Sequence, residues 1–179
     1  MTAVDIRPAI SNDILALMKF NHGCETTHTW QVDGSSIEEG QMQVSFRKIR
    51  LPRSLQLEYP RNPEILADTW TKRGLFLVAR LQTQRCGYLT LDLVENRSGR
   101  VVDLVVDEPY RRQGVACALL TAAQDWLKVN RIYQISLEIP IKNNAAIMLA
   151  EKMRYIFSGF RDCYFGNREI AFFYSAFLR

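Results

Sequence analysis

Arg111, Arg112, Gln113 and Gly114 stand between a nearly continuous apolar run and an amphipathic one, in the stretch VVDLVVDEPYRRQGVACALLTAAQDWLK of residues 101–128. Apolar strand, basic turn with a glycine, then helix is an order that binds anions. The first-turn N–H groups of a helix have no partners of their own and carry the positive end of its dipole. Gly114 lets the main chain approach a phosphate with no Cβ in the way, and small Ala116 permits the same closeness one step on. Arg111 and Arg112 add charge. The natural guest carries phosphates. A dinucleotide fingerprint would need more glycines in a parallel βαβ unit, and a P-loop would need a lysine followed by Ser or Thr; the stretch has neither.

The elements that must position this turn are legible in outline. A first strand runs from Thr2 to Pro8, and Ser11 or Asn12 caps a helix with Ile14, Leu15, Leu17, Met18 and Phe20 on its apolar face. Residues 21–40 break the pattern and read as a loop, with a short helix near 37–43; Val44, Phe46 and Ile49 then mark irregular extended structure. Pro63 opens a helix over 63–72, closed by Gly74. Residues 75–81, 86–94 and 100–106 read as three consecutive strands of an antiparallel meander. The helix after the turn presents Ala116, Leu119, Leu120, Ala123 and Leu127 on one face. A strand over 132–139 alternates, Asn143 caps a helix over 144–154, and two closing strands, 157–164 and 169–177, join through Gly166-Asn167. The layout is α+β, with a mixed sheet and helices on both faces.

Composition sets the class. The 179 residues suit a single domain, and 47% hydrophobic with 23% charged residues is a globular balance. A net charge of +4 with short basic clusters is too mild for a nucleic-acid partner. Four scattered cysteines without CxxC spacing give no metal knuckle or redox pair. The start of the chain has no signal-peptide pattern. No apolar run nears the roughly 20 residues that span a bilayer. The expected setting is a reducing cytoplasm, without membrane contact.

The segment Arg111-Arg112-Gln113-Gly114-Val115-Ala116 resembles the Gln/Arg-x-x-Gly-x-Gly/Ala signature of the GNAT superfamily of N-acetyltransferases. Asn143-x-x-Ala146-x-x-Leu149 is similar to that family's second signature, at the right separation. The resemblance covers most of residues 6–178 in element order and is specific over 101–160. It implies a mixed, mostly antiparallel GNAT-like sheet splayed between its fourth and fifth strands, with acetyl-coenzyme A as cosubstrate. Leu104, Val105 and Val106 would offer backbone partners to the pantetheine arm, and an N–H near Val105 would polarise the acetyl carbonyl. Arg111, Arg112, Gln113, Gly114, Val115 and Ala116 would hold the pyrophosphate. Asn143 would contact the coenzyme as well as cap its helix. Closing strands in this family often pair between subunits, which implies a homodimer.

Proton transfer is the open part. The family often places an acid tyrosine where this chain has Ala150, within Leu149-Ala150-Glu151-Lys152-Met153-Arg154-Tyr155. Three substitutes compete. Tyr164 lies on the closing hairpin, which resembles that of streptothricin-type acetyltransferases. Glu138 projects opposite the apolar side of its strand. Asp103 interrupts an apolar strand and must be paired or reached by solvent. His22 and His28 sit in the early loop and are of the residue type suited to acid–base work, and Trp30 is set to shape the acceptor pocket or to join the core. The expected activity is direct acetyl transfer to a primary amine of a small molecule or peptide. The alternative, motivated by Ala150, is a non-catalytic acyl-coenzyme A-binding sensor or regulatory module.

Overall fold

In the computed structural model, which describes residues 4–36, 40–94 and 98–178, the chain runs β1 (Val4–Pro8), α1 (Ser11–Leu17), β2 (Cys24–Ser36) and β3 (Met42–Leu57). It continues through α2 (Leu66–Thr69), β4 (Leu75–Leu81), β5 (Gln84–Val94), β6 (Ser98–Val106) and α3 (Val115–Val129). The last elements are β7 (Gln134–Pro140), α4 (Asn144–Lys152), β8 (Ile156–Arg161) and β9 (Ala171–Phe177). Seven strands form one sheet in the order β1-β4-β5-β6-β7-β9-β8, and β2 with β3 forms a second. The α+β reading with a mixed, mostly antiparallel sheet holds: every neighbouring pair is antiparallel except β6 with β7.

Continuous apolar runs put β4 and β5 in the middle. Leu75, Leu77 and Ala79 face one core, with Leu119, Leu120, Ala123 and Leu127 of α3. Phe76 and Val78 face a second core, with Ile14 and Leu17 of α1 and Leu66 of α2. Helices therefore cover both faces, because these strands are apolar on both.

The functional gap has a local cause. Pairing between β6 and β7 runs only from Ser98↔Gln134 to Val101↔Leu137. On the other side of β6, the register passes from Leu91↔Val101 to Thr90↔Asp103, leaving Val102 as an extra residue. A bulge of this kind bends the strand and sharpens its twist. Beyond it the ends of β6 and β7 separate, so the expected splay is present, between β6 and β7 in this chain's numbering.

The early segment departs from expectation. Residues 21–40 read as a loop, yet β2 spans Cys24–Ser36 and pairs along β3 from Cys24↔Leu57 to Ser36↔Met42. Of the expected short helix at 37–43, residues 37–39 lie outside the described residues, and Met42 and Gln43 belong to β3. The hairpin was hidden because much of it is polar and faces water. Its apolar anchors are few: the ring of Phe46 packs edge-on against Phe157, Phe160 and Phe172 at 5.1–5.3 Å.

Smaller corrections follow local hydrogen bonding. Ile10, not Ser11 or Asn12, is the residue before the first turn of α1, and the Asp13 carboxylate accepts from its N–H at 2.9 Å. The helix expected over 63–72 is three short pieces, with α2 between single turns at Pro63–Ile65 and Trp70–Lys72. α4 stops at Lys152, and Arg154 sits at φ +61°, a left-handed exit. β8 ends at Arg161, which leaves Tyr164 in the connection to β9 rather than on a strand. Thr2, Ala3 and residues 95–97 of the expected turn lie outside the described residues.

Candidate active site

The basic turn becomes a cradle through two left-handed residues. Arg112 (φ +64°) and Gly114 (φ +86°) turn the chain from the end of β6 into α3. A Cβ built on Gly114 meets nothing within 4 Å, so the space above it is clear for a guest. The first intrahelical bond runs from Ala118 N to Gly114 O at 3.0 Å, and the N–H groups of Val115, Ala116 and Cys117 thus point out of the helix start.

Arg111 has a different task from Arg112. Its guanidinium donates to the carbonyls of Val106 (3.0 Å), Asn21 (2.5 Å) and Gly23 (2.7 Å), tying the segment after α1 to the cradle. Arg112 is exposed at the rim. Gln113 points outward and donates to Pro109 O at 2.9 Å. A cavity of about 410 Å3 is lined by Leu104, Val105, Val106, Arg111, Arg112, Gly114, Val115, Ala116 and Asn143. Asn143 caps α4 by accepting from Ala146 N at 3.1 Å. Nine of the ten expected coenzyme residues therefore face one space, and Gln113 stands outside it.

A second cavity, of about 330 Å3, opens between the parted strands and the base of the hairpin. Its walls include Val101 and Val102 of β6, Leu137 and Glu138 of β7, and Glu58, Arg61 and Glu169. The two cavities share His22, Cys24, Tyr59, Leu104, Asn143, Ala146 and Leu149. They meet in the splay.

The expected proton-transfer residues are distributed unevenly around this junction. Asp103, 5% exposed, lies behind the wall; it accepts from the hydroxyls of Tyr59 (Oδ1, 2.5 Å) and Thr90 (Oδ2, 2.5 Å), with Arg61 Nη1 3.8 Å away. Glu138 lines the second cavity, 3.8 Å from Arg100 Nη1. Tyr164 does not line it. Its ring packs on Phe165 and Phe173, and burial together with the Glu138 carboxylate pushes its phenol up. His22 reaches the junction with both ring nitrogens engaged, Nδ1 with Phe20 O (2.7 Å) and Nε2 with Tyr88 Oη (2.9 Å). Since a carbonyl can only accept, Nδ1 carries the proton and Tyr88 donates to Nε2. Burial lowers the pKa of His22 and keeps it neutral.

His28 is on β2, beside Thr27 Oγ1 at 2.9 Å, and lines neither cavity. Trp30 packs edge-on against Phe172 at 5.9 Å, on the core side of the hairpin. Ala150 is fully buried among core residues.

Sequence reasoning missed Tyr59, Arg61, Thr90 and Tyr88. Burial, then the nearby Asp103, pushes the Tyr59 phenol well above its ordinary value, and burial does the same for Tyr88. A tyrosine beside a proline carries no signal of this. Its partner Asp103 is 44 residues away, and only the fold joins them.

Comparison with known proteins now decides the family. The model described as "Acetyltransferase (GNAT) family" matches residues 45–155, which include the cradle and Asn143. The chain belongs to this acetyltransferase family. An N-alpha-acetyltransferase of Saccharolobus solfataricus is 40% identical over 60 residues, 33% of this chain, and the alignment spans only 36% of that relative's length. Among solved structures, nourseothricin acetyltransferase superposes with a TM-score of 0.83 at 20% identity, covering 99% of this chain and 100% of the other. A protein described as a streptothricin acetyltransferase from Bacillus anthracis, in complex with acetyl coenzyme A, gives 0.74 at 19% identity, with 99% of both chains covered. These two likenesses show a shared GNAT fold. Acetyl-coenzyme A is the donor of GNAT acetyltransferases, and the clear space over Gly114 at a helix start suits its pyrophosphate.

Proposed function

We propose that this GNAT acetyltransferase moves the acetyl group of acetyl-coenzyme A to a primary amine of a small molecule, by direct attack in a ternary complex. One observation carries the reading: the donor cradle and a second chamber meet at the splay, so a thioester and an amine entering from opposite sides reach one point. The second chamber has the size of a small-molecule site. Its wall carries Glu58, Glu138 and Glu169, carboxylates that complement an ammonium group. The resemblance in fold to nourseothricin and streptothricin acetyltransferases favours an aminated small acceptor over a peptide. The N-alpha-acetyltransferase relative favours a peptide amino terminus, which is the second reading.

In this account the free N–H groups of Val115, Ala116 and Cys117 and the charge of Arg112 hold the pyrophosphate, and Arg111 keeps the cradle wall in place. The parted edge of β6 at Leu104, Val105 and Val106 bonds the pantetheine arm, and an N–H near Val105 steadies charge developing on the acetyl oxygen. Among the described residues no helix is long and apolar enough to cross a membrane. We also propose that residues 1–179 form one catalytic domain in a reducing cytoplasm, acting on neither nucleic acid nor membrane, with two copies associating through their closing strands.

Isothermal titration with acetyl-coenzyme A, followed by thiol release on a panel of small amines and peptides, tests the reading. Binding together with release on at least one small amine is the expected result. Tight binding without release on any amine favours a non-catalytic acyl-coenzyme A sensor instead, and release only on peptides favours the amino-terminal reading.

A further inference from the structure

Ala150 stands where the family often has a tyrosine, and the fold brings a different tyrosine, Tyr59, to the junction of the two cavities. We propose that Tyr59 is a catalytic residue that relays a proton from the acceptor nitrogen to Asp103; the proposal rests on the acetyl-transfer reading above.

Asp103 is the buried carboxylate nearest the parted strands, and it lines neither cavity. It therefore meets the acceptor only through a neighbour. Tyr59 lines both cavities, and its hydroxyl donates to Asp103 Oδ1. Thr90 occupies Oδ2, and Arg61, also in the second cavity's wall, stands 3.8 Å from Oδ1. These contacts hold the carboxylate still, and of its two hydroxyl partners among the described residues it is the phenol that reaches the chamber. His22, the other titratable ring at the junction, is already committed at both nitrogens. It packs against the Tyr59 ring, 5.2 Å away centroid to centroid. The charged and titratable groups around the pair are Arg61, His22 and Tyr88, with Arg73 acting on Tyr88 and with Asp107 and Arg111 acting on His22.

The proton count fits. An ammonium and a thioester give an amide, a thiol and one free proton. In the relay, an N–H bond of the ammonium breaks as an O–H bond forms at the Tyr59 oxygen. The phenol's own O–H bond breaks as one forms at Asp103 Oδ1. The nitrogen keeps its electron pair and attacks the acetyl carbon. As the C–N bond forms and the C–S bond breaks, a second N–H proton leaves with the sulfur to make the thiol. Asp103, now neutral, returns its proton through Tyr59 once the products leave.

Tyr59→Phe tests this because it keeps the ring and removes only the hydroxyl. Its kcat on an ordinary alkylamine should fall by about 10²-fold or more, the scale of general-base catalysis, with acetyl-coenzyme A affinity by titration unchanged. A weakly basic acceptor such as a hydrazide, neutral at the assay pH, needs no deprotonation before attack, so its rate should fall by less than about tenfold. The acid limb of the wild-type pH–rate profile should move in Tyr59→Phe to the ionisation of the amine, which alone should then set the rate. Asp103→Asn, which keeps an acceptor for Tyr59 but takes no proton, should reproduce both effects. A drop below about threefold, or equal losses on both amines with the wild-type pH profile retained, would overturn the relay. An active wild type with an unimpaired Tyr59→Phe sinks the relay alone, whereas a wild type that binds acetyl-coenzyme A and acetylates no amine sinks the acetyl-transfer reading and the relay with it.

Discussion

At the scale of single residues, backbone conformation decides more than side-chain chemistry. Gly114 sits at φ +86° with clear space above it, so a β-branched side chain there is both strained and in the way of a guest. Gly114→Val should weaken acetyl-coenzyme A binding by about tenfold or more, on the order of 1.4 kcal/mol, read by isothermal titration. Affinity that survives the change would remove Gly114 from the cradle. Ala150 makes the opposite point. It is fully buried in the core beside Ile147 and Tyr155, so the position cannot simply regain an acid. Ala150→Tyr should cost about 1–3 kcal/mol through overpacking, visible in urea unfolding, and should bring no gain in kcat. The glycine and the alanine were both legible as letters. What each one meets was not.

At the scale of elements, two pieces of the chain hold the site, one from outside it and one whose base forms part of its wall. Asp13 of α1 is fully buried and binds Arg7 at 2.7 and 2.8 Å, Arg85 at 2.7 Å and the Ile10 N–H at 2.9 Å, fastening α1 to β1 and β5. Burial alone would raise its carboxyl, but the hydrogen bonds from Arg7, Ile10 and Arg85 outweigh that and hold it well below the usual carboxylate range. Because the folded value is depressed, this contribution is complete above about pH 4 and is lost as pH falls through the folded value. Asp13→Ala should therefore destabilise the protein by about 3 kcal/mol at neutral pH, and chemical denaturation should show the gap to wild type closing in acid. The β2–β3 hairpin is the second such piece. Phe46→Ala removes its aromatic anchor on Phe157, Phe160 and Phe172 and should cost about 2–3 kcal/mol. Hydrogen exchange should rise along the hairpin first, and KM for the acceptor should rise more than kcat falls. The hairpin escaped sequence reading because its periodicity is mostly polar, whereas β4, β5 and β6 carry long apolar or alternating runs that local pattern reveals.

At the scale of the whole molecule, the site exists because a strand bulge opens a sheet that is otherwise closed. Beyond the bulge, Leu104 of β6 lines both cavities, so a ligand that fills the cradle should stabilise the fold as one unit. Acetyl-coenzyme A at 100 times its Kd should add about 2.7 kcal/mol to unfolding, measured as a rise in melting temperature; Gly114→Val, binding about tenfold more weakly, should lose about half of that gain at the same concentration. The sequence by itself determined the donor half of the protein. The strand, the basic turn, Gly114, α3 and the Asn143 cap are contiguous or nearly so, and helix-start N–H groups and left-handed glycines follow from local geometry. The acceptor half was decided only by tertiary structure. Tyr59, Asp103, Thr90 and His22 come from four separate elements and loops; hydrogen bonds join the first three across as many as 44 residues, and His22 meets Tyr59 ring to ring. No local periodicity encodes a contact made by chain crossing, and burial, which turns those side chains from surface polar groups into the cluster proposed to relay the proton, is a property of the packed whole.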